Sequence, residues 1–202
     1  MIKNIIFDVG KVLVEFDWES AFHKLGIEGE AFEAVADATV CSTDWNEYDR
    51  SSMSDEEQLQ YFIAKAPDYE KEIRLFWENV GLPIWQYDYS MELVKGLRSQ
   101  GYHTYILSNY ARHTYECTRE ALSFEKEMDG VVFSYQVGSI KPEPEIYQTL
   151  LENFHLVPEE SVFLDDKPEN LKAAAQFGIH TIQFTTLDAA KDALQKLGVT
   201  IS

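Results

Sequence analysis

Short apolar runs alternate with amphipathic segments along the second half of the chain. After an opening apolar run at residues 4–7, the pattern predicts four further strands, at 103–108, 131–134, 161–165 and 181–184. Helices are predicted between and after them, at 112–124, 143–154, 168–177 and 187–197. Short continuous apolar strands separated by helices are typical of a parallel sheet that is covered on both faces. We therefore expect an α/β fold, a doubly wound, Rossmann-like parallel sheet.

A different periodicity occupies the region between the first strand and this series. Apolar residues recur there at i, i+3, i+4 and i+7 in two stripes, Leu59-Phe62-Ile63-Ala66 and Ile73-Phe76-Trp77-Val80, with a shorter stripe at Phe32-Val35-Ala36. This spacing predicts amphipathic helices. The chain is thus expected to form a core from residues 1–14 and 89–202, with a small helical bundle inserted at 15–88.

Composition narrows the classes of function. The 202 residues carry a formal net charge of −18, which argues against binding nucleic acid. Residues 15–88 contain 18 Asp and Glu against 5 Lys and Arg, as expected of a solvated surface. No apolar run approaches the roughly 20 residues of a membrane helix, and the first residues lack the pattern of a secretory signal. With Cys41 and Cys117 alone, we expect reduced thiols in a cytoplasmic protein. No feature predicts an oligomeric state.

Chemically active side chains collect where the predicted strands end. Asp8 follows the first strand, Ser108 and Asn109 end the second, Lys141 follows the third, and Asp165 with Asp166 ends the fourth. Ligands of doubly wound sheets bind at the carboxyl ends of the strands, so we expect these groups to share one site. Adjacent carboxylates at the end of a buried strand also require a cation.

In this order, the residues resemble the four motifs of the haloacid dehalogenase superfamily. Ile5-Ile6-Phe7-Asp8-Val9-Gly10 is similar to the first motif, Tyr105-Ile106-Leu107-Ser108-Asn109 to the second, Lys141-Pro142-Glu143-Pro144-Glu145-Ile146-Tyr147 to the third, and Val162-Phe163-Leu164-Asp165-Asp166 to the fourth. The resemblance covers essentially the whole chain. It implies that the insertion at 15–88 is a helical cap that closes over the site and selects substrates.

The resemblance implies a Mg²⁺-dependent phosphatase that acts on a small phosphorylated metabolite. Asp8 would attack phosphorus and form an aspartyl-phosphate, and a carboxylate needs no activating base for this. Mg²⁺ would be held by Asp8, the Gly10 carbonyl and Asp166, with Asp165 in a supporting role.

The remaining motif residues are expected to bind the phosphoryl group. Lys141 would hold Asp8 and neutralise charge on the phosphoryl oxygens. Ser108 and the backbone N–H of Asn109 would donate hydrogen bonds to the phosphate, and Lys11 is a further phosphate-binding residue. In the cap, Trp45 is the aromatic residue expected to face the substrate.

Gly10 departs from the phosphatase pattern, which places a second Asp two residues after the nucleophile. That Asp protonates the leaving oxygen, a contribution commonly of about 10² to 10⁴-fold, and Gly10 has no side chain to do so. Three hypotheses follow. The enzyme favours easy leaving groups, such as those of sugar 1-phosphates; or Lys11, Arg112 or His113 supplies the proton or charge; or the chain has lost turnover.

Two other functions stay open at this point. A non-catalytic phosphate-binding or interaction protein could use the same fold. A 2-haloacid dehalogenase also lacks the second Asp, but it needs no Mg²⁺ and would leave the pair Asp165-Asp166 without a counter-ion.

Overall fold

The computed structural model describes residues 1–201, and the last residue of the predicted core segment 89–202 lies outside them. Five parallel strands form one sheet in the order β5-β4-β1-β6-β7. A second sheet consists of the antiparallel pair β2 and β3. The strands are β1 Asn4–Phe7, β2 Val14–Phe16, β3 Ile84–Gln86, β4 His103–Ser108, β5 Gly130–Phe133, β6 Ser161–Asp165 and β7 His180–Gln183.

Eleven α-helices are found among the residues described. Their bounds are α1 Trp18–Lys24, α2 Glu30–Ala38, α3 Trp45–Arg50, α4 Asp55–Lys65, α5 Glu70–Glu78, α6 Ser90–Ser99, α7 Arg112–Thr118, α8 Ser134–Val137, α9 Pro144–Asn153, α10 Pro168–Gln176 and α11 Leu187–Lys196. Helices α9 and α10 each begin with proline, whose fixed φ suits the first helical position. Helix α4 begins with a capping box between Ser54 and Glu57.

Helices cover both faces of the five-stranded sheet. On one face α6 and α11 pack against β1, β4 and β6 through a buried cluster that includes Leu93, Leu97 and Leu194. On the other face α9 and α10 bury Ile146, Leu150 and their neighbours against the same strands. The expected doubly wound α/β fold is confirmed.

Helices α1 to α5 form a separate group with its own apolar core. Phe22, Phe62 and Phe76 lie at its centre, and each is at most 2% exposed. The pair β2–β3 stands where the chain enters and leaves this group, next to the boundaries predicted at residues 15 and 88. The group is called the cap below. None of its helices, nor any other in residues 1–201, has the length and apolar composition needed to cross a bilayer.

Several elements differ from the sequence predictions. The helix expected at 112–124 ends at Thr118, because Leu122 and Phe124 turn inward and are buried beside α6. The strand expected at 131–134 lies one residue earlier, and Ser134 begins α8. Strand β7 is likewise shifted, to His180–Gln183. The short helices α1 and α3 were not predicted, and neither was α6. Cys41 and Cys117 are free thiols.

Candidate active site

A cavity of about 220 Å³ lies between the carboxyl ends of the central strands and the cap. The core supplies its polar floor, which includes Asp8, Ser108, Lys141 and Asp166. The cap side, called the roof below, consists of Val40, Trp45, Asn46 and Asp49. The register of the sheet explains the floor, because Phe7 of β1 pairs with Ile106 of β4 and Leu164 of β6, so the residues that follow them emerge together.

Asp8 is held through one of its two carboxylate oxygens. Oδ1 accepts hydrogen bonds from the Val9 N–H at 2.7 Å and the Ser108 hydroxyl at 2.6 Å, and the Lys141 ammonium lies 2.8 Å away. Within residues 1–201, Oδ2 has no such partner. Burial raises the pKa of Asp8, and the charge of Lys141 opposes that rise. One oxygen is therefore immobilised, while the other remains available to a ligand.

Lys141 bridges two carboxylates beneath the cavity. Its Nζ lies 2.8 Å from Asp8 Oδ1 and 2.7 Å from Asp165 Oδ2, and the residue is 3% exposed. Burial alone would lower the pKa of Lys141, but the two carboxylates outweigh it and the pKa is raised. The Asn109 side chain fixes the Lys141 backbone, since Oδ1 accepts its N–H at 2.7 Å and Nδ2 donates to its carbonyl at 3.0 Å. Lys141 is thus a fixed positive charge.

The two adjacent acids at the end of β6 have different surroundings. Asp165 is fully buried, and both its oxygens are occupied by Lys141, the Lys167 N–H and the Asn170 amide. This arrangement favours the supporting role predicted for it. The Asp166 carboxylate lines the cavity and accepts no hydrogen bond from the part of the chain described. Burial, together with the charges of Asp8 and Asp165, raises its pKa to about 6.

These three acids fit a divalent cation. Asp8, Asp165 and Asp166 each place one carboxylate oxygen within 4.8 Å of the others, while Lys141 is the ammonium buried among them. Buried carboxylates that outnumber their cations are costly unless protonated or bound to metal. The donor set of carboxylate oxygens, with the Asp166 carboxylate held by no other partner among the residues described, suits Mg²⁺.

Not every predicted residue reaches the cavity. Gly10, Lys11 and Trp45 line it, although the Lys11 ammonium is paired with Glu15. Arg112 and His113 do not line it. Arg112 pairs with Asp55 at 2.8 Å, and the His113 ring stacks on Trp77 and makes a hydrogen bond with the Trp77 carbonyl at 3.2 Å. The first turn of α7 faces the cap helices there, so neither residue is placed to provide the acid that Gly10 lacks.

The structure adds lining residues that the sequence analysis missed, chiefly Asn46, Asp49, Lys167 and Asn170. The last two lie within five residues of Asp165, Lys167 just before α10 and Asn170 in its first turn, and their position after the fourth motif was the available signal. For Asp49 the signal was its distance from Trp45, because residues at i and i+4 share one helix face. If Trp45 faces the cavity, Asp49 does as well.

Comparisons with known proteins agree with this architecture. Residues 2–178 match the family model of the haloacid dehalogenase-like hydrolases, and the chain belongs to that family. The D-ribitol-5-phosphate phosphatase of Bacteroides thetaiotaomicron is 30% identical, over 91% of this chain and 92% of its own length. The resemblance inferred from the four motifs is confirmed, and the protein is a hydrolase.

Two solved structures show the breadth of the fold. A family enzyme from Bacteroides thetaiotaomicron, crystallised with magnesium and inorganic phosphate, superposes with a TM-score of 0.74 at 22% identity, over 92% of this chain and 95% of that one. The L-2-haloacid dehalogenase of Xanthobacter autotrophicus gives 0.65 at 14% identity, over 100% of this chain and 85% of that one. Both similarities show the fold alone, so the side chains of the site must identify the reaction.

Proposed function

We propose that this protein is a Mg²⁺-dependent phosphatase of a small phosphate monoester, acting through an aspartyl-phosphate on Asp8. The observation that carries the proposal is the state of the Asp8 carboxylate. Three donors hold Oδ1, and Oδ2, at the floor of the cavity, has no partner among residues 1–201. A carboxylate fixed in this way presents a single oxygen to phosphorus, with no rotational freedom to lose on the way to the transition state.

The floor residues have complementary parts in this reaction. Lys141, permanently charged between Asp8 and Asp165, orients the nucleophile and lowers the cost of bringing an anionic phosphoryl group to it. Asn109 acts on Lys141 rather than through its own side chain on the phosphate. Asp8, Asp166 and the Gly10 carbonyl would hold Mg²⁺. The bound ion supplies positive charge that stabilises the charge developing on the phosphoryl oxygens.

The acidic floor favours a phosphatase over a dehalogenase. Displacement of halide from a 2-haloacid requires no cation, and Asp166 would then stand as a half-buried, unpaired carboxylate beside Asp8 and Asp165. Phosphate transfer gives that carboxylate a function as a metal ligand. The phosphatase activity named for the 30% identical relative supports the same reaction class.

Candidate substrates are sugar phosphates and polyol phosphates. A sugar 1-phosphate suits a site without an acid at Gly10, because its anomeric oxygen leaves easily. Ribitol 5-phosphate is the substrate in the relative's name, and its primary alcohol is a poorer leaving group. Val40, Trp45 and Asn46 of the roof would contact the part of the substrate beyond the phosphate.

The decisive experiment measures phosphate release from a panel of these esters, with Mg²⁺ and with a chelator. We expect turnover that requires the metal and disappears in Asp8→Asn. Glu70→Gln, an exposed surface variant remote from the site, serves as the matched control and should retain wild-type rates. Chloride release from 2-chloropropionate without metal would contradict the proposal in favour of the dehalogenase. Phosphate binding without turnover of any ester would contradict it in favour of a binding protein.

A further inference from the structure

The roof of the cavity contains one acidic side chain, Asp49, in the last turn of α3. Its carboxylate forms no hydrogen bond and no ion pair within residues 1–201. The other two acids near this helix, Asp44 and Glu47, do not line the cavity. Asp44 forms an ion pair with Lys65, and Glu47 forms one with Arg50. Asp49 is therefore an unpaired carboxyl group that faces the same space as Asp8.

The core fixes the position of Asp49 through its own backbone and its neighbours. The Asp49 carbonyl accepts a hydrogen bond from the Ser134 hydroxyl at 2.6 Å. Arg50 forms a bidentate ion pair with Glu143, at 2.7 and 2.8 Å. The Ser51 hydroxyl accepts a hydrogen bond from the Arg112 N–H at 3.0 Å. Three consecutive residues are thus attached to the core, and these contacts fix the backbone that carries the Asp49 side chain at the cavity.

The electrostatic surroundings suit a group that exchanges a proton near neutral pH. Burial raises the pKa of Asp49 to about 7, and the charge of Asp8 adds to the rise, while Lys167 and Lys141 oppose it. On its own helix, Glu47 and Arg50 pair with each other. A carboxyl group of this kind is present in both the acid and the base form at neutral pH, as proton transfer in both directions requires.

We propose that Asp49 is the general acid and base of this site, and that it provides from the cap the function for which Gly10 has no side chain. This inference rests on the phosphatase function proposed above. In-line displacement places the leaving oxygen on the side of phosphorus opposite the nucleophile. Asp8 attacks from the floor, so the leaving oxygen is directed toward the roof, where Asp49 stands.

Asp49 gives up one proton in the first step of the reaction and takes one back in the second. As Asp8 Oδ2 bonds to phosphorus and the ester bond breaks, the Asp49 carboxyl group gives its proton to the departing oxygen, which leaves as an alcohol. The Asp49 carboxylate then takes a proton from water while the water oxygen bonds to phosphorus and the bond from phosphorus to Asp8 breaks. Inorganic phosphate leaves, and both aspartates return to their starting states.

None of the other side chains lining the cavity opposite Asp8 or beside it fits the role of general acid and base. Trp45 and Asn46 do not titrate in the required range, and Tyr110, on the core side of the cavity, has a hydroxyl whose pKa is raised by burial and which is bonded to Thr118 at 2.8 Å. Lys11 is paired with Glu15. Lys167 enters from the core, on the same side as Asp8.

The test compares esters of different leaving groups in wild type and Asp49→Asn. For an alkyl ester such as ribitol 5-phosphate, kcat/KM should fall by roughly 10² to 10⁴-fold. For p-nitrophenyl phosphate, whose phenolate leaves without a proton, kcat/KM should fall by less than about tenfold, because it reports the first step only. Loss of the base should slow the second step, so one equivalent of nitrophenolate should appear in a burst.

The controls separate this role from a structural one. Asp44→Asn makes the same chemical change beside the same helix, outside the cavity, and should leave both esters at wild-type rates. Asp49→Ser, which also lacks an acid, should repeat the pattern of Asp49→Asn, with wild-type thermal unfolding as the test of folding. An equal loss for both esters, or no loss, overturns the inference while leaving the phosphatase in place. A wild type that turns over neither ester, with Asp8→Asn indistinguishable from it, overturns both.

Discussion

The floor and the roof of the cavity are built on opposite physical principles. In the floor the three fully buried charges have partners: Asp8 Oδ1 has three donors, Asp165 is contacted on both oxygens, and Lys141 bridges the two. The half-buried Asp166 carboxylate is the exception among the residues described. In the roof, the side chains of Asn46 and Asp49 make no hydrogen bond among the residues described, and Trp45 is held by aromatic packing alone. Hydrogen bonds and ion pairs therefore hold the charged side chains of the floor in place, whereas packing holds most side chains of the roof.

The difference indicates that the floor fixes the nucleophile, whereas the roof, apart from Asp49, sets the choice of substrate. A buried ionic network contributes little net stability, because desolvation offsets the attraction between its charges. Its value in the floor is geometric, since it holds one oxygen of Asp8 still. The aromatic packing around Trp45 takes no part in that network, so the roof other than Asp49 can differ between related enzymes without disturbing the nucleophile.

Removing the buried cation of the floor should have the largest effect, on both the free energy of unfolding and the activity. Lys141→Met leaves Asp8 and Asp165 buried without their shared cation, and loss of one partner of a buried pair typically costs about 3–5 kcal/mol. We expect that loss in urea unfolding at pH 8, together with loss of phosphate release. Without the charge of Lys141, burial holds the pKa of Asp8 above its unfolded value, so lowering the pH should restore part of the stability. Lys95→Met, which removes an exposed pair with Glu127, should cost under about 1 kcal/mol.

The next largest effect, on kcat/KM, should come from placing an aspartate at Gly10 of the floor in a protein that lacks Asp49 of the roof. A Cβ at Gly10 meets no atom within 4 Å, so the first atom of the side chain in Gly10→Asp has room. In the Asp49→Asn background, we expect it to recover about 10- to 100-fold of the lost kcat/KM on alkyl esters, or about 1.4–2.7 kcal/mol of barrier. Gly10→Asn is the matched control and should recover nothing. Equal recovery by both variants would show that polarity at this position, and not a proton, is what matters.

Reshaping the roof should have a smaller effect, confined to binding. Trp45 lies 4.7 Å from the Tyr48 ring centre and 6.1 Å from that of Phe62. Trp45→Phe keeps part of this packing, and such aromatic pairs are worth about 0.5–1.5 kcal/mol. We expect KM to rise by roughly three- to tenfold with kcat unchanged. The more exposed Trp85, outside the cavity, is the control, and Trp85→Phe should change neither constant.

The attachment between roof and core should show the smallest effect. The hydrogen bonds from Arg50 lower the pKa of Glu143 to about 2 from its usual 4.5. Because the folded-state pKa is the lower one, the stabilisation is complete above about pH 4.5 and is lost as the pH falls toward 2. Both side chains are partly exposed, so the pair should contribute at most about 1 kcal/mol.

In Arg50→Gln this part of the pH dependence should vanish, which thermal unfolding at pH 7 and pH 3 would detect. Arg74→Gln removes a comparable exposed pair with Glu70 inside one helix and is the control. An unchanged pH dependence in Arg50→Gln would show that the ion pair between Arg50 and Glu143 does not stabilise the attachment of the roof to the core.

Prediction from sequence succeeded where a single local pattern determined the outcome. Strands β4 and β6 have the predicted bounds, and α9 and α10 differ from theirs by one or two residues, because apolar runs and proline starts are local signals. Helix α3 was missed because six residues are too few to show a helical period. The early end of α7 was missed because it depends on where Leu122 and Phe124 are buried.

The candidate site divides in the same way. The four residues at strand ends were expected together and lie together: Asp8, Ser108, Asp165 and Asp166. Lys141 joins them, as expected, from the segment between α8 and α9. One hypothesis assigned His113 or Arg112 the missing proton or charge, but both side chains contact the cap outside the cavity. The direction in which the side chains of α7 point depends on residues distant in sequence. Asp49 was not among the residues expected at the site, and its place at the cavity depends on the hydrogen bond from Ser134 to its carbonyl and on the ion pair of the next residue, Arg50, with Glu143.

The sequence by itself determined the fold class, the family and the charged floor of the cavity. Strand ends of a parallel sheet converge whatever surrounds them, so the order of the motifs along the chain was enough to bring those side chains together. The tertiary structure alone decided which oxygen of Asp8 is free, which residue Asn109 holds, and which cap residue faces the nucleophile. These depend on distances between segments far apart in the chain, and only packing sets such distances.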